Sequence, residues 1–283
     1  MRKSLKNYTT FKIGGPVKLM YFPVSQTELT VVCKTLDGQG ITPLILGNGS
    51  NILASDGELD IVVINTTKLT GISLNEERNE IMVEAGVLLS KLAVFAFENG
   101  LTGLEFAHGI PGTVGGAVVM NAGAYGGEMK DIVISTTAYN KDLGIHALTA
   151  AENEFAYRHS RFSDSSDIVL SAVIRLQKGD KNAIKQKMDE LSLKRRESQP
   201  LDLPSGGSTF KRPKEGYAAA LIEQAGLKGF SIGGASVSQK HSGFIVNNGN
   251  ATFSDVMAVI EHVQKEVLNK FFIELEPEIK IVR

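Results

Sequence analysis

The stretch His108-Gly109-Ile110-Pro111-Gly112-Thr113-Val114-Gly115-Gly116-Ala117, continuing through Met120-Asn121-Ala122-Gly123-Ala124-Tyr125-Gly126, is the most unusual part of this 283-residue chain. Eight of the 29 glycines lie between Gly103 and Gly127. A backbone with so few side chains can turn at positive φ and approach a ligand closely. A shorter loop of the same character precedes it, where the apolar run Ile41–Leu46 opens into Gly47-Asn48-Gly49-Ser50-Asn51. Successive N–H groups in such loops form an anion nest, to which Asn and Ser add neutral donors. Either loop alone reads as an ordinary turn. Two of them, each fed by an apolar strand or helix, point to a dinucleotide. The Rossmann fingerprint is not the vehicle, because the sixth position counted from Gly47 is Ile52. A branched residue at Gly49 or Gly115 is expected to expel the ligand before it harms the fold.

Outward from these loops the pattern is mixed. Ser25–Asp37 predicts a helix with Ser25 and Glu28 at capping-box spacing, a Leu29, Val32, Leu36 stripe and Gly38 as its stop. Ile41–Leu46, Ile61–Ile64 and Ile81–Val83 read as strands, with Asn75–Asn79 as a turn. Leu88–Asn99 reads as a second helix. Beyond the glycine cluster, strands are expected at Ile132–Tyr139, His146–Leu148 and Ile168–Leu176, then a helix over Lys181–Glu197. Leu201–Gly207 reads as a linker, with Pro204, Ser205, Gly206 and Gly207 in succession. The segment after it predicts helices at Tyr217–Ala225 and Ser254–Lys270, the latter with a Val256, Val259, Ile260, Val263, Val267 stripe. A strand is expected at Gly243–Val246 and a closing one at Ile273–Val282. The fold class is therefore α+β, with a boundary near residue 200.

Composition excludes several functions. With 30 Lys+Arg against 31 Asp+Glu, the formal charge is −1, which argues against nucleic acid as the partner. One cysteine, Cys33, excludes a disulfide framework. No run approaches 18 apolar residues, so no membrane insertion is expected. The start, MRKSLKNYTTFKIGG, has no apolar h-region, and a cytoplasmic protein is expected. There is no P-loop, Gly206-Gly207-Ser208-Thr209-Phe210 misses the nucleophile elbow at its last position, and the five histidines lack metal-ligand spacing, so no metal site is expected.

The glycine loops resemble the FAD-binding loops of the UDP-N-acetylenolpyruvoylglucosamine reductase (UDP-N-acetylmuramate dehydrogenase) family, of the flavoprotein fold shared with vanillyl-alcohol oxidase and p-cresol methylhydroxylase. The resemblance covers nearly the whole chain. It starts at Asn7-Tyr8-Thr9-Thr10-Phe11-Lys12-Ile13-Gly14-Gly15 and takes in Tyr157-Arg158-His159-Ser160-Arg161-Phe162 and Gly207-Ser208-Thr209-Phe210-Lys211. It continues through Ile222-Glu223-Gln224-Ala225-Gly226-Leu227-Lys228-Gly229 to Leu275-Glu276-Pro277-Glu278. The direct link from Leu193 to Pro204 resembles the shorter, type II form, and Arg212 stands where the longer form has Asn. The resemblance implies a FAD-binding PCMH-type region of two α+β subdomains over 1–199, a smaller α/β substrate-binding domain over 200–272, and a C-terminal strand over 273–283 returning to the active site.

It also implies the chemistry: an NADPH-dependent flavoenzyme that reduces the enolpyruvyl group of a UDP-sugar in peptidoglycan precursor synthesis. FAD would be noncovalent, since Cys33 lies outside the loops; His108 and Tyr125 are the residues near them able to form a covalent link. The implied cofactor residues are Gly47, Asn48, Gly49, Ser50, Asn51, Gly109, Gly112, Thr113, Gly115, Gly116, Ala117, Asn121 and Gly123. Hydride addition to the terminal methylene leaves an enolate conjugated to a carboxylate, which demands cationic donors and an acid. The family implies Arg158 as the carboxylate grip, Ser208 as proton donor and Glu278 as the acid beside the enolate. Period-2 spacing in the expected last strand would put Glu274, Glu276 and Glu278 on one face; the family selects Glu278. Substrate contacts are implied for Tyr157, Lys211, Gln224 and Lys240, with Lys228 a further cation and Lys240 the first choice for the diphosphate. Two other readings stay open: another flavin oxidoreductase of the same fold, and a binding module without turnover. Against the latter, Arg158, Ser208 and Glu278 are all present.

Overall fold

The computed structural model describes residues 3–283; Met1 and Arg2, where the N-terminal reading begins, lie outside the described residues. The helices in chain order are α1 (Gln26–Asp37), α2 (Leu89–Glu98), α3 (Val114–Val119), α4 (Lys181–Ser198), α5 (Ala218–Gln224) and α6 (Phe253–Phe271). Together with the strands they form an α+β protein, as its sequence predicts. The chain falls into two compact units. One takes Met20–Asn48 and Ile61–Lys194. The other gathers the N-terminal stretch through Leu19, Gly49–Asp60 and Arg195–Arg283. This partition cuts the chain differently from 1–199, 200–272 and 273–283.

The larger unit is built on a five-stranded antiparallel sheet ordered Gly144–Thr149, Val133–Asn140, Ile168–Arg175, Glu80–Glu84, Ile72–Asn75. Its core joins Ile81 and Val83 of the sheet with Leu89, Leu92 and Ala96 of α2, Val114 and Val118 of α3, and Ile184 and Met188 of α4. A short parallel pair, Leu44–Leu46 with Val63–Asn65, carries the first glycine loop at its end. The expected strand Ile41–Leu46 thus shortens to three residues. α1 starts as its spacing predicts, with Ser25 Oγ accepting from Glu28 N–H at 3.1 Å. The Glu28 carboxylate reaches back one residue further than a capping box requires, to Val24 N–H at 2.9 Å. Cys33 lies on the buried face of α1; burial, with the Asp37 charge, pushes its thiol up to about 12.

The smaller unit holds a four-stranded antiparallel sheet ordered Ser205–Ser208, Phe244–Asn247, Ala235–Val237, Ser231–Ile232. α6 covers it with Val256, Val259, Ile260, Val263 and Val267, all essentially buried. Two expectations are corrected here. Leu201–Gly207 is not a free linker: Ser205–Ser208 is an edge strand bonded to Phe244–Asn247. Ile273–Val282 is not one strand: only Lys280–Val282 is, paired in parallel with Ile52–Ala54. Pro277 has no N–H to give to a ladder, and Phe210 and Pro277 make a single bridge. Glu274, Glu276 and Glu278 all precede the Lys280–Val282 strand, the first two exposed and Glu278 half-buried, so they are not three residues of one strand.

Candidate active site

In the larger unit, the residues after Leu46 and those before α3 converge. Asn48 Nδ2 donates to Pro111 O at 2.6 Å. Gly47 lies so close to Thr113 that a Cβ on it would stand 2.3 Å from Thr113 Oγ1. The backbone N–H groups of Gly47, Asn48, Gly112, Thr113 and Gly116 find no acceptor among the described residues. Thr113 Oγ1 is also buried without a partner. Thr113 is buried and buried polar groups are normally satisfied; with the half-buried and exposed donors clustered around it, the group fits an anionic ligand with several acceptor oxygens, as the pyrophosphate of a dinucleotide has. By contrast Val114 N–H donates to Val87 O and Gly115 N–H to Ala85 O, both at 2.8 Å, so those two amides serve the fold.

The glycines accordingly divide. A Cβ on Gly115 would lie 2.9 Å from Ala85 Cβ. One on Gly49 would lie 2.1 Å from Tyr8 O, and φ there is +62°. The chain's own packing requires both, so a branched residue at either damages the fold first, contrary to the expectation from sequence. Gly116 is different: it is exposed, and the nearest atom a Cβ would meet is Thr113 Oγ1, at 3.7 Å.

Asn121 also departs from its expected role. It is fully buried at φ +41°, and its side chain is engaged within the unit: Nδ2 donates to Glu128 Oε2 and to Ala156 O, and Oδ1 accepts from Lys130 N–H, each at 2.9 Å. Sequence reasoning missed Glu128; no spacing singles it out. Lys130 Nζ lies 3.0 Å from its carboxylate. That hydrogen bond holds the Glu128 carboxyl below the usual range, helped by Asn121 and the Lys130 and Arg158 charges and opposed by desolvation. Arg158 is part-buried, at φ +54°, with Nη2 donating to Gly123 O at 3.1 Å. Its guanidinium stands 5.2 Å from the ring centroid of exposed Tyr157.

In the smaller unit, Gly49 and Ser50 likewise carry N–H groups without an acceptor among the described residues, while Gly49 O accepts from Thr10 N–H at 3.1 Å. Asn51 Nδ2 donates to Glu278 O at 3.1 Å. Ser208 ends the edge strand, exposed, after Gly207 at φ +81°. Directly beyond it Glu278 N–H donates to Thr209 O, and Lys211 N–H to Glu276 O, both at 2.8 Å. This short ladder places Glu278 opposite Thr209, the residue that follows Ser208.

The expected substrate lysines already have partners in the chain. Lys211 Nζ pairs with Glu276 at 2.5 Å, Lys228 with Glu223 at 3.1 Å, and Lys240 Nζ donates to Arg196 O. Exposed Gln224 ends α5, its carbonyl accepting from Lys270 Nζ at 2.6 Å. His241, which follows Lys240, accepts from Gly243 N–H on Nδ1 at 3.1 Å, and burial pushes its pKa down. Among the described residues no cluster of His, Cys, Asp or Glu is arranged to hold a metal, and no helix is long and apolar enough to cross a membrane.

Residues 17–146 match the family model for a FAD binding domain, and residues 199–282 match that for the C-terminal domain of UDP-N-acetylenolpyruvoylglucosamine reductase. The chain is 50% identical over 282 residues to the UDP-N-acetylenolpyruvoylglucosamine reductase of Caldanaerobacter subterraneus subsp. tengcongensis, covering 100% of this chain and 93% of that protein. It is 47% identical to the Clostridium novyi protein of the same name, over 98% and 90% of the two chains. The crystal structure of the Thermus caldophilus reductase superimposes with a TM-score of 0.85 at 34% identity, covering 100% of this chain and 98% of that one. This chain belongs to the UDP-N-acetylenolpyruvoylglucosamine reductase family.

Proposed function

We propose that this chain reduces the enolpyruvyl ether of UDP-N-acetylglucosamine enolpyruvate to UDP-N-acetylmuramate in the cytoplasm, with NADPH as electron donor and FAD held noncovalently. The observation that carries the reading is the group of amides without acceptors at Gly47, Asn48, Gly112, Thr113 and Gly116, with Thr113 Oγ1 buried among them, in a chain of this family. When bound there, FAD supplies two-electron chemistry: hydride from NADPH in one half-reaction and hydride to the terminal methylene of the substrate in the other. The Gly47, Asn48, Gly112, Thr113 and Gly116 donors would hold its pyrophosphate; Gly49, Ser50 and Asn51 are cofactor residues by family resemblance.

Arg158 meets the substrate carboxylate with a planar, permanently charged fork, and so stabilises the negative charge that hydride addition drives into it. Ser208 Oγ gives its proton to the carbon adjacent to the carboxylate. A serine hydroxyl is a weak acid, so it serves only against a strongly basic carbon centre of this kind. Glu278, held beside the Ser208 strand through Thr209 O, stays protonated next to the carboxylate and donates a hydrogen bond to the enolate. One hydride and one proton add across the double bond, and NADPH is oxidised. Lys240, Lys211, Gln224 and Tyr157 contact the nucleotide sugar, the lysines exchanging their present partners for phosphate. The test is spectroscopic. Purified protein is expected to be yellow, to bleach with NADPH, and to regain its colour with the enolpyruvyl nucleotide. A colourless protein, or bleached flavin that this substrate leaves unchanged, refutes the reading.

A further inference from the structure

Arg158 stands at the tip of a tight turn closed by Ala156 N–H to His159 O at 3.0 Å and His159 N–H to Ala156 O at 3.3 Å. Its φ of +54° is one that a residue with a long side chain adopts against its preference. Such a conformation persists where the surroundings over-determine it, and it gathers at ligand-gripping positions. The surroundings lead back to one side chain. Gly123, whose carbonyl receives Arg158 Nη2 at 3.1 Å, pairs with Glu128 in a short antiparallel ladder. A Cβ on Gly123 would stand 2.6 Å from Glu128 Cγ, so the stem of Glu128 lies flat on that residue. The Glu128 carboxylate accepts from Asn121 Nδ2 at 2.9 Å, and the same amide nitrogen donates to Ala156 O, the carbonyl that closes the turn. Both supports of Arg158, the Gly123 carbonyl and the base of its turn, therefore bear on Glu128.

We propose that Glu128 is a positioning residue for Arg158: through Asn121 and Gly123 it fixes the turn and the guanidinium so that the fork is already oriented when the substrate carboxylate arrives. The proposal rests on the reading of Arg158 as the carboxylate grip. Lys130 Nζ, 3.0 Å from the same carboxylate, offsets the Glu128 charge beside an incoming anion. Misplacing a reacting partner by about 1 Å slows a step by roughly 10²-fold. Glu128 is thus expected to matter to the half-reaction that uses the carboxylate and not to the other.

The experiment uses the flavin-loaded protein. Glu128→Ala is expected to keep FAD content and bleaching by NADPH near wild type while slowing reoxidation by the enolpyruvyl nucleotide about 10- to 10²-fold. Binding of UDP-N-acetylglucosamine, which lacks the carboxylate, stays unchanged. A second Glu128→Ala change in an Arg158→Ala background adds nothing further. Should Glu128→Ala lose its flavin or fail to fold, Glu128→Asp, whose shorter stem draws the carboxylate back from Asn121 and off Gly123, is expected to slow reoxidation in the same selective way. Wild-type reoxidation in the variant that folds, or slowing that adds fully to that of Arg158→Ala, overturns the positioning role while leaving Arg158 in place. Wild-type reoxidation in Arg158→Ala itself overturns both.

Discussion

Gly115 and Gly116 are neighbours in one glycine-rich run, yet a side chain would meet quite different surroundings at the two. Gly115 donates its N–H to Ala85 O and packs against Ala85 Cβ, whereas Gly116 is exposed and its N–H has no acceptor among the described residues. Valine at Gly116 is expected to leave apo-protein stability within about 1 kcal/mol of wild type, since valine is no worse in a helix than glycine. It should also abolish FAD retention, because its methyl groups fill the space the cofactor needs. Flavin absorbance per protein after gel filtration and a denaturant titration check the two halves; full FAD content refutes the cradle. Gly115→Val is expected to show the reverse order, loss of fold first. At Ser208 the two half-reactions separate. Ser208→Ala should bleach normally with NADPH and reoxidise about 10²–10⁴-fold more slowly, the usual span of general acid catalysis. Stopped-flow absorbance resolves each half, and equal slowing of both would move the proton donor elsewhere. The two glycine loops were legible because missing side chains leave a mark in composition. Glu128 and the internal role of Asn121 were not, because a hydrogen-bond network that joins residues 121, 128, 130 and 156 has no periodicity to read.

Elements with a strong period were readable to within a residue or two. α6 begins at the Thr252 cap, where Thr252 Oγ1 accepts from Asp255 N–H at 3.1 Å and the Asp255 carboxylate accepts from Thr252 N–H at 2.9 Å and Gly234 N–H at 3.2 Å. The backbone hydrogen bond from Thr252, seconded by that from Gly234, holds the Asp255 carboxyl below its usual range. A lowered carboxyl contributes stability that is present above its unfolded value and is lost as pH falls through its folded one. Asp255→Asn is therefore expected to be less stable than wild type at neutral pH. The gap should close as pH drops below about 4, the ordinary aspartate value. Urea titrations at pH 7 and pH 3 measure it, and a gap that persists at the acid end contradicts the assignment. Short segments read from local pattern alone misled. Ser205–Gly207 has a turn's composition but is bonded as an edge strand. Ile273–Glu278 alternates like a strand, yet Pro277 and the bridge to Phe210 hold it apart from Lys280–Val282.

At the scale of the whole molecule, the order of elements along the chain does not reveal which segments fold together. The core of the smaller unit takes Phe11, Ile13 and Leu53 from the N-terminal side of the chain and packs them with Val256, Val259, Ile260 and Val263 of α6. The composition shift near residue 200 marks where the chain enters this unit for the last time, and carries no trace of the two earlier visits. Further ties run the same way. Asn247 Nδ2 donates to Phe11 O at 2.9 Å, Thr10 Oγ1 to Ser205 O at 2.6 Å, and Ile52–Ala54 is the only strand paired with Lys280–Val282 among the described residues. A fragment of residues 200–283 would thus lose three fully buried large side chains. At about 1.5–3 kcal/mol each, together they amount to roughly 5–9 kcal/mol, on the order of the whole net stability of a small domain. It would also leave a strand edge without a partner and Asn247 Nδ2 without its acceptor. We expect this fragment, although it matches a family domain model almost end to end, to show no cooperative unfolding transition and a collapsed amide spectrum by NMR. Appending residues 3–19 and 49–60 through flexible linkers should restore a folded spectrum, because those segments supply every missing partner named here. A sharp transition in the 200–283 fragment alone would show that its own core suffices, and would shift the stabilising role from the early segments to the α6–sheet contact.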